Sequence, residues 1–449
     1  MKKNVKISLW IAAGLLMAGI IATTVLLLRP EAPILWPEEG QKVQIGSVEY
    51  TYIGKTESVE INKENLKTPF AAQMGEGYYL WNGKETLILH NVSTDSYWYA
   101  AVMSSYNIDI ILEGENVIDR TVVTQPYEGD EGIGEEGPST TVHALYFGDG
   151  TETGLGQTTI KGDGSLKLRL STDGEIYAIQ TYADLVISEA DVSVDMQYFE
   201  GISLFEGNYG ITSDYDVRLT NGATLEIKND ILIYGRSIKA KNLFIDRSTL
   251  KIEGKCHAIE TEEDLRITNR SDVQIDFSYG DGDISANGKV YVQNSSLSAI
   301  QKLDAETAPF DCFLHANKEI TFDHSKISIY GGISTDDLNI INRSNVSVQN
   351  DNSEDTSEGT ISIHHLYVRK SHLRAETQGA PCIKSYGREG WENNEYAKHP
   401  GKIDILEKKL VAPKEYHRIT IQPGEREARK YYTLADEQGN PASLLIVKP

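Results

Sequence analysis

A phrase of eleven residues occurs twice in this chain, and it restricts the folds that the chain can adopt. Residues 265–275 read LRITNRSDVQI, and residues 338–348 read LNIINRSNVSV. Each copy holds an alternating apolar pair, a polar turn and a second alternating pair. Alternation with period two indicates a β-strand with one buried face. Degenerate copies begin at Leu185, Val217, Leu243, Leu265, Val290, Ile320, Leu338 and Leu366.

A third short strand precedes most of these copies by five or six residues. It has an aliphatic, a polar and a small residue, as in IET at residues 259–261 and ISA at residues 284–286. Three strands in a repeat of 18–32 residues are typical of a parallel β-solenoid. Hairpins are disfavoured because two-residue turns such as Asn-Gly are scarce. We therefore predict a mainly β chain, a parallel β-helix with three strands per coil, where a coil is one turn of the solenoid.

Stacking of the coils at ~4.8 Å predicts ladders of equivalent residues. A serine recurs in the turn between the first and second strands, where it can bond to local backbone, and we interpret it as structural. The positions are Ser248, Ser271, Ser295, Ser325, Ser344 and Ser371. The three cysteines, Cys256, Cys312 and Cys382, never fall in adjacent coils, so we expect three free, mostly buried thiols.

The N-terminus predicts a membrane anchor. Residues 9–28 carry no charge over 20 positions, follow a segment with three lysines and end at Arg29-Pro30. This length spans a bilayer as a helix, and we favour an uncleaved signal anchor over a cleaved signal. The lysine excess places the N-terminus in the cytoplasm. The expected localisation is the cell membrane, single-pass, with the C-terminal part extracellular.

The expected domain organisation follows from these features. It comprises a cytoplasmic tail (1–8), a transmembrane signal anchor (9–28), a stalk and N-terminal cap (29–84), the parallel β-helix (85–386) and a C-terminal cap (387–449). In the last of these, two apolar runs flank residues 436–440 and predict a small antiparallel hairpin. An acidic, Gly-rich insertion at residues 127–138 is predicted to be a surface loop.

Several segments resemble a known family. IKGDGSLKL (residues 160–168), GITSDYDVRLTNGATLEI (210–227) and GDGDISANGKVYV (280–292) look like the repeats of bacterial extracytoplasmic carbohydrate-binding domain proteins. These are similar in architecture to pectate lyases. The resemblance covers roughly residues 108–386. It implies a right-handed parallel β-helix, binding of a plant-type or acidic polysaccharide, and calcium in some members.

The outward positions of the first strands supply the best candidate binding surface. Four adjacent coils place Arg218, Phe244, Arg266 and Tyr291 in one row. Aromatic faces stack on sugar rings, and arginine can bridge carboxylates. The alternative interpretation is a cation–π ladder that only stabilises the sheet.

Calcium is the one cofactor for which the sequence offers candidate ligands. It requires several oxygen ligands that converge on one point, and carboxylates supply them. Asp281 and Asp283, in the segment YGDGD, are the best local pair, and Glu253 and Asp276 on neighbouring second strands could help. The acidic insertion is another candidate, and a solvated charge run is the competing explanation for each set.

These observations lead to three functional hypotheses. The first is a membrane-anchored, non-catalytic polysaccharide-binding protein, the second a polysaccharide lyase or other glycan-cleaving enzyme, and the third an adhesin or scaffold that binds a protein. For the second, we find no Asp cluster on adjacent coils beside Arg or Lys in the outward rows, and no catalytic residue is assigned. The formal charge of -23 argues against nucleic acid. A monomer is expected.

Overall fold

The structure is a computed structural model of the full chain. It describes residues 42–45, 48–51, 71–74, 77–95, 100–122, 141–148, 156–172, 174–198, 208–230, 235–255, 257–277, 283–301, 312–350, 360–377, 381–386, 388–392, 395–399, 401–406, 409–413, 417–421 and 431–449. These residues form β-strands and no α-helix. Accordingly, no helix suited to crossing a membrane is found among them. The predicted anchor (residues 9–28), the acidic insertion and Asp281 lie outside these ranges.

The strands follow one another along the chain with short connections. The N-terminal half contains β1 Lys42–Ile45, β2 Val48–Thr51, β3 Ala71–Met74, β4 Gly77–Trp81, β5 Thr86–His90, β6 Ser93–Thr94, β7 Val102–Ser104, β8 Asp109–Glu113, β9 Glu115–Val122, β10 Thr141–Phe147, β11 Gln157–Lys161, β12 Ser165–Thr172, β13 Glu175–Thr181, β14 Asp184–Ser188, β15 Asp191–Tyr198, β16 Asn208–Ser213, β17 Asp216–Thr220 and β18 Thr224–Asn229.

The C-terminal half continues the same pattern and then changes to short antiparallel pieces. It contains β19 Gly235–Ala240, β20 Asn242–Asp246, β21 Thr249–Gly254, β22 His257–Thr261, β23 Leu265–Thr268, β24 Asp272–Phe277, β25 Ile284–Ala286, β26 Lys289–Gln293, β27 Ser296–Gln301, β28 Cys312–Asp323, β29 Lys326–Ile341, β30 Asn345–Asn350, β31 Ile361–Arg369, β32 His372–Thr377, β33 Ile383–Tyr386, β34 Arg388–Glu392, β35 Glu395–His399, β36 Lys402–Leu406, β37 Lys409–Ala412, β38 His417–Ile421, β39 Tyr431–Ala435 and β40 Leu444–Lys448.

From β8 to β25, each strand pairs in parallel with the third strand after it. Thus β14 pairs with β17, β17 with β20 and β20 with β23. The first, second and third strands of the coils therefore form three parallel ladders, which is a solenoid-like arrangement. The long strands β28, β29 and β31 pass from one ladder to the next without a break, so one strand serves two or three positions of a coil.

The predicted repeat register is confirmed residue by residue. In the first-strand ladder, Leu185 pairs with Val217, and the pairing continues through the eight predicted starting residues to Leu366. The third-strand aliphatic positions align in the same way, from Ile179 to Ile333. Their side chains are buried, and burial of such aliphatic rows supplies the main stabilisation of the stack.

Small residues occupy the tight inward positions of the third strands, as predicted. Thr261, Ala286 and Ala316 are fully buried there. The predicted serine ladder is also buried, since Ser271, Ser344 and Ser371 expose at most 1% of their surface. Cys382 is a free, buried cysteine, and burial raises the pKa of its thiol to about 12. The side chains of Cys256 and Cys312 lie outside the described residues.

Antiparallel strands lie against both ends of the parallel ladders. At the N-terminal end, β1 pairs with β7 and β4 pairs with β5, both antiparallel. At the other end, β40 pairs with β32 and β39 with β33, again antiparallel. Covering these edges prevents strand addition from another chain.

Two strand pairings in the C-terminal part were not predicted from the sequence. A parallel strand, β36, still pairs with β31, so the parallel ladder extends past residue 386. The two apolar runs around residues 436–440 do not form the predicted hairpin with each other. They meet only in a tight turn with one bridge, between Ala435 and Pro441, while β39 pairs with β33 and β38 and β40 pairs with β32 and β37. Each run pairs instead with an exposed ladder edge.

Candidate functional site

The predicted outward row on the first strands exists in the structure. Arg218 pairs with Phe244, Phe244 with Arg266, and Arg266 with Tyr291, each one coil further along. All four are partly exposed, because the alternation of the strands turns them away from the aliphatic core. The same row continues through Thr321, Asn339 and Tyr367.

The Phe244 ring is sandwiched between two guanidinium groups. The Cζ atom of Arg218 lies 5.3 Å from the ring centroid, and that of Arg266 lies 5.8 Å from it. Because the two arginines sit on the coils before and after Phe244, they cover opposite faces of the ring. The row therefore presents the edge of Phe244 to solvent, and its faces are not open for stacking on a sugar.

The arginines of the row are already paired with carboxylates. Arg218 donates to Asp184 Oδ2 at 2.8 Å and to Asp216 Oδ2 at 2.5 Å, and Arg266 donates to Asp264 Oδ2 at 3.0 Å. The guanidinium charge is thus largely neutralised by the protein itself. The structure brings the four predicted residues together in one row, and Arg218, Phe244 and Arg266 form a ladder of cation–π and ion-pair contacts.

The last member of the row, Tyr291, is half-buried. Burial raises the pKa of its phenol, and Asp323 raises it further, while Arg266 acts in the opposite direction. The hydroxyl therefore remains protonated at neutral pH and is a hydrogen-bond donor at the surface.

A ladder of Asp and Asn residues beside this row was missed by the sequence reasoning. Asp216 N–H donates to Asp184 Oδ1, Asn242 Nδ2 donates to Asp216 Oδ1 at 2.8 Å, and Asp264 N–H donates to Asn242 Oδ1. Asp184 and Asp216 thus lie on adjacent coils beside Arg218, at positions other than the outward rows for which no Asp cluster was expected. Each Asp or Asn of the ladder directly precedes the first apolar residue of a repeat, a position outside the outward row that was considered. That recurring Asp or Asn was the available signal.

A second aromatic row, on the third strands, was also missed. The rings of His143 and Tyr177 stack at 5.1 Å, those of Tyr177 and Tyr209 at 5.3 Å, and Arg236 Cζ lies 5.9 Å from the Tyr209 centroid. Each residue stands two positions before the aliphatic residue of its third strand, and this regularity could have revealed the row. Arg236 is ion-paired with Glu260 on the next coil.

The candidate calcium ligands do not converge in the described part of the chain. Asp283 Oδ2 lies 3.8 Å from His257 Nδ1, and its predicted companion Asp281 is outside the described residues. Glu253 and Asp276 are neighbours on the second-strand ladder, as expected. Among the described residues, no group of three or more Asp, Glu, His or Cys side chains is arranged to hold a metal ion.

Comparison with protein-family models, with curated proteins and with solved structures found no match to this chain.

Proposed function

We propose that this chain is a membrane-anchored, extracytoplasmic polysaccharide-binding protein without catalytic activity, built on a right-handed parallel β-helix. The observation that carries the proposal is the unbroken first-strand row from Arg218 to Tyr367. Its side chains recur at steps of ~4.8 Å, which suits a ligand that is itself a polymer.

The chemistry of the row suits sugar hydroxyl groups. Arg266 donates one hydrogen bond to Asp264, and its side chain is 43% exposed, so some of the five N–H donors of the guanidinium remain for a ligand. The hydroxyls of Tyr291 and Tyr367 and the amide of Asn339 add donors and acceptors along the same line. Edge-on contacts of this kind replace the face stacking that the sequence suggested for Phe244.

The test is retention of the full-length chain, in detergent, on immobilised polysaccharides, with calcium and with a chelator. We expect retention without release of product. A rising absorbance from unsaturated sugars would identify a lyase, and no retention on any glycan would overturn the proposal in favour of a protein-binding scaffold. A fall in retention with chelator would bring calcium into the interaction.

A variant pair locates the binding surface. Phe244→Ala combined with Tyr291→Ala removes two partly exposed rings from the row and is expected to weaken retention roughly tenfold. The matched control is Ile300→Ala, which removes a 42%-exposed apolar side chain from the second-strand ladder. Equal retention by both variants would exclude the row as the binding surface.

A further inference from the structure

The two copies of the repeated phrase build identical wide turns. In one, Asn269 and Arg270 have φ of 58° and 71°, and in the other Asn342 and Arg343 have φ of 55° and 72°. The side chain of Asn269 donates to Asp246 and that of Asn342 donates to Asp323, each on the preceding coil. The phrase therefore encodes one conformation, a turn with two consecutive left-handed residues.

The two turns between these copies are narrower, where a wide turn has two consecutive left-handed residues and a narrow turn has one. They contain one left-handed residue each, Asn294 with φ of 50° and His324 with φ of 52°. Two wide turns thus bracket two narrow ones, and a shallow cleft of about 540 Å³ lies along this corner of the stack. Three coil steps of ~4.8 Å separate its ends, or about 14 Å. The residues that matter for its chemistry are Arg270, Asn294, Ser296, His324, Lys326 and Arg343.

The two arginines of this cleft differ from arginines elsewhere on the surface. Arg218, Arg247 and Arg266 are each paired with an aspartate. By contrast, neither Arg270, Arg343 nor Lys326 forms an ion pair or a side-chain hydrogen bond with any residue that the structure describes. Unneutralised cations in one cleft are notable on a chain with a formal charge of -23.

The second left-handed position of the wide turn also supports a role for the two arginine side chains. The wide turn at residues 221–222 has Gly222 (φ of 85°) where the repeated phrase has arginine. The equivalent backbone bond is kept in all three, since Gly222, Arg270 and Arg343 donate their N–H to the turn of the next coil. Glycine adopts this conformation without strain, so arginine at both positions carries a backbone cost that Gly222 does not.

We propose that this turn cleft binds the carboxylate or sulfate groups of an acidic glycan lying along the coil stack. The inference rests on the proposed glycan-binding function and assigns the acidic groups to this cleft instead of the first-strand row. The row arginines already have carboxylate partners, whereas Arg270 and Arg343, at the two ends of the cleft, can each donate a bidentate pair of hydrogen bonds to an oxyanion. Lys326 and His324 lie between them.

The test measures affinity of the full-length chain for polygalacturonate (carboxylate), dextran sulfate (sulfate), dextran (neutral) and duplex DNA. We expect tighter binding of one or both anionic glycans than of dextran, weakening as salt is raised. The two anionic arms tell which acidic group is recognised. DNA binding as tight as that of the anionic glycan would overturn the assignment to a glycan.

The informative variant is Arg270→Gly combined with Arg343→Gly. Since glycine relieves the left-handed backbone, the variant is expected to fold with unchanged or higher stability and to lose roughly 10- to 100-fold in affinity for the anionic glycan. The matched control is Arg247→Gly, at an exposed left-handed turn residue (φ of 51°) whose guanidinium is bound by Asp246 and Asn221. It is expected to bind like the wild type.

Two outcomes separate this inference from the proposed function. If the wild type binds no glycan, neutral or acidic, both the proposed function and the cleft assignment are overturned. If it retains anionic glycans and the double glycine variant binds them as tightly as the wild type does, the proposed function stands and the cleft assignment is overturned. A double lysine variant, Arg270→Lys with Arg343→Lys, is expected to recover part of the affinity, since it restores charge without the bidentate fork.

Discussion

The backbone N–H of Ser248 donates to the Oγ of Ser271 on the next coil, at 3.2 Å. The same hydrogen bond recurs along the corner up to Ser371. Each serine Oγ therefore accepts the backbone N–H of the equivalent serine on the preceding coil. The Oγ of Ser271 also lies 2.6 Å from the carbonyl oxygen of Thr268 and 3.0 Å from that of Ile245. One hydroxyl thereby satisfies buried backbone groups on two coils.

Replacing Ser271 by alanine is therefore expected to lower the free energy of unfolding by ~1–3 kcal/mol, because buried backbone groups lose their partner. Urea unfolding followed by circular dichroism measures the change. The control is Ser298→Ala, on the outward side of the second-strand ladder, for which a change within ~0.5 kcal/mol is expected. Equal effects of the two substitutions would contradict a structural role for the serine ladder.

Much of the fold could be predicted because the solenoid repeats one local rule. The aliphatic residues at Leu243, Leu265 and Val290 predict both the strand and its register. A shift of the strand pairing by one residue would turn these side chains outward. The predictions failed where the repeat stops. The runs at β39 and β40 resemble a hairpin in sequence. The unpaired edges of β32 and β33 compete for the same backbone groups, and the local sequence pattern does not show which pairing forms.

The position of the candidate row was predicted correctly, and the contacts at Phe244 match the alternative interpretation, a cation–π ladder. Alternation shows that Phe244 faces outward, but not whether its ring stands edge-on between Arg218 and Arg266. Likewise, the aspartates that neutralise these arginines lie within two positions along the chain or one coil away, and only the three-dimensional register brings Asp184 to Arg218. Contacts between coils depend on repeat lengths that vary along the chain.

The Asp–Asn ladder gives a second prediction. Asn242 is 7% exposed, and its amide donates to Asp216 and accepts the N–H of Asp264. Asn242→Asp removes the donor and sets a second carboxylate beside Asp216, so we expect a loss of ~2–3 kcal/mol at pH 7.

The loss should depend on pH with a definite sign. Repulsion raises the folded-state pKa of the new carboxyl pair, so the penalty is present at neutral pH and is relieved as pH falls through that raised pKa. Urea unfolding midpoints at pH 7 and pH 5, relative to wild type, measure this. Asn345→Asp, at the exposed first residue of β30, is the control. A penalty of the same size at both pH values would argue against carboxylate repulsion.

A buried arginine inside the stack gives a third prediction. Arg120 is 2% exposed and pairs in register with Leu170, and its Nε and Nη1 have no hydrogen-bond partner among the described residues. Burial lowers the pKa of its guanidinium to about 10. Replacing a buried charge by an apolar side chain of similar length removes its desolvation cost.

Arg120→Met is therefore expected to raise the free energy of unfolding by ~1–4 kcal/mol. Arg120→Lys keeps a buried charge and serves as the matched variant, with no gain expected. Urea unfolding midpoints of the three proteins provide the comparison. A lower midpoint for Arg120→Met than for the wild type would indicate that Arg120 is paired with a group outside the described residues.

The last prediction concerns His143, which stacks on Tyr177 and is 1% exposed. Burial, reinforced by the charge of Arg120, lowers the pKa of its imidazole to about 4 from an ordinary value of 6.5. The imidazole of His143 is therefore protonated near pH 6.5 in the unfolded chain but only near pH 4 in the folded chain. Stability contributed by the neutral imidazole is complete above pH 6.5 and is lost as pH falls toward 4.

Between pH 7 and pH 5 this difference amounts to about 2 kcal/mol, at roughly 1.4 kcal/mol per pKa unit. His143→Phe preserves a stacked ring but cannot titrate, so the free energy of unfolding of the wild type relative to this variant should fall by that amount over the interval. Ser298→Ala should differ from the wild type by a constant. A wild-type advantage over His143→Phe that stays constant from pH 7 to pH 5 would show that protonation of His143 does not couple to folding, and the acid sensitivity of the stack would then have to come from its carboxylates.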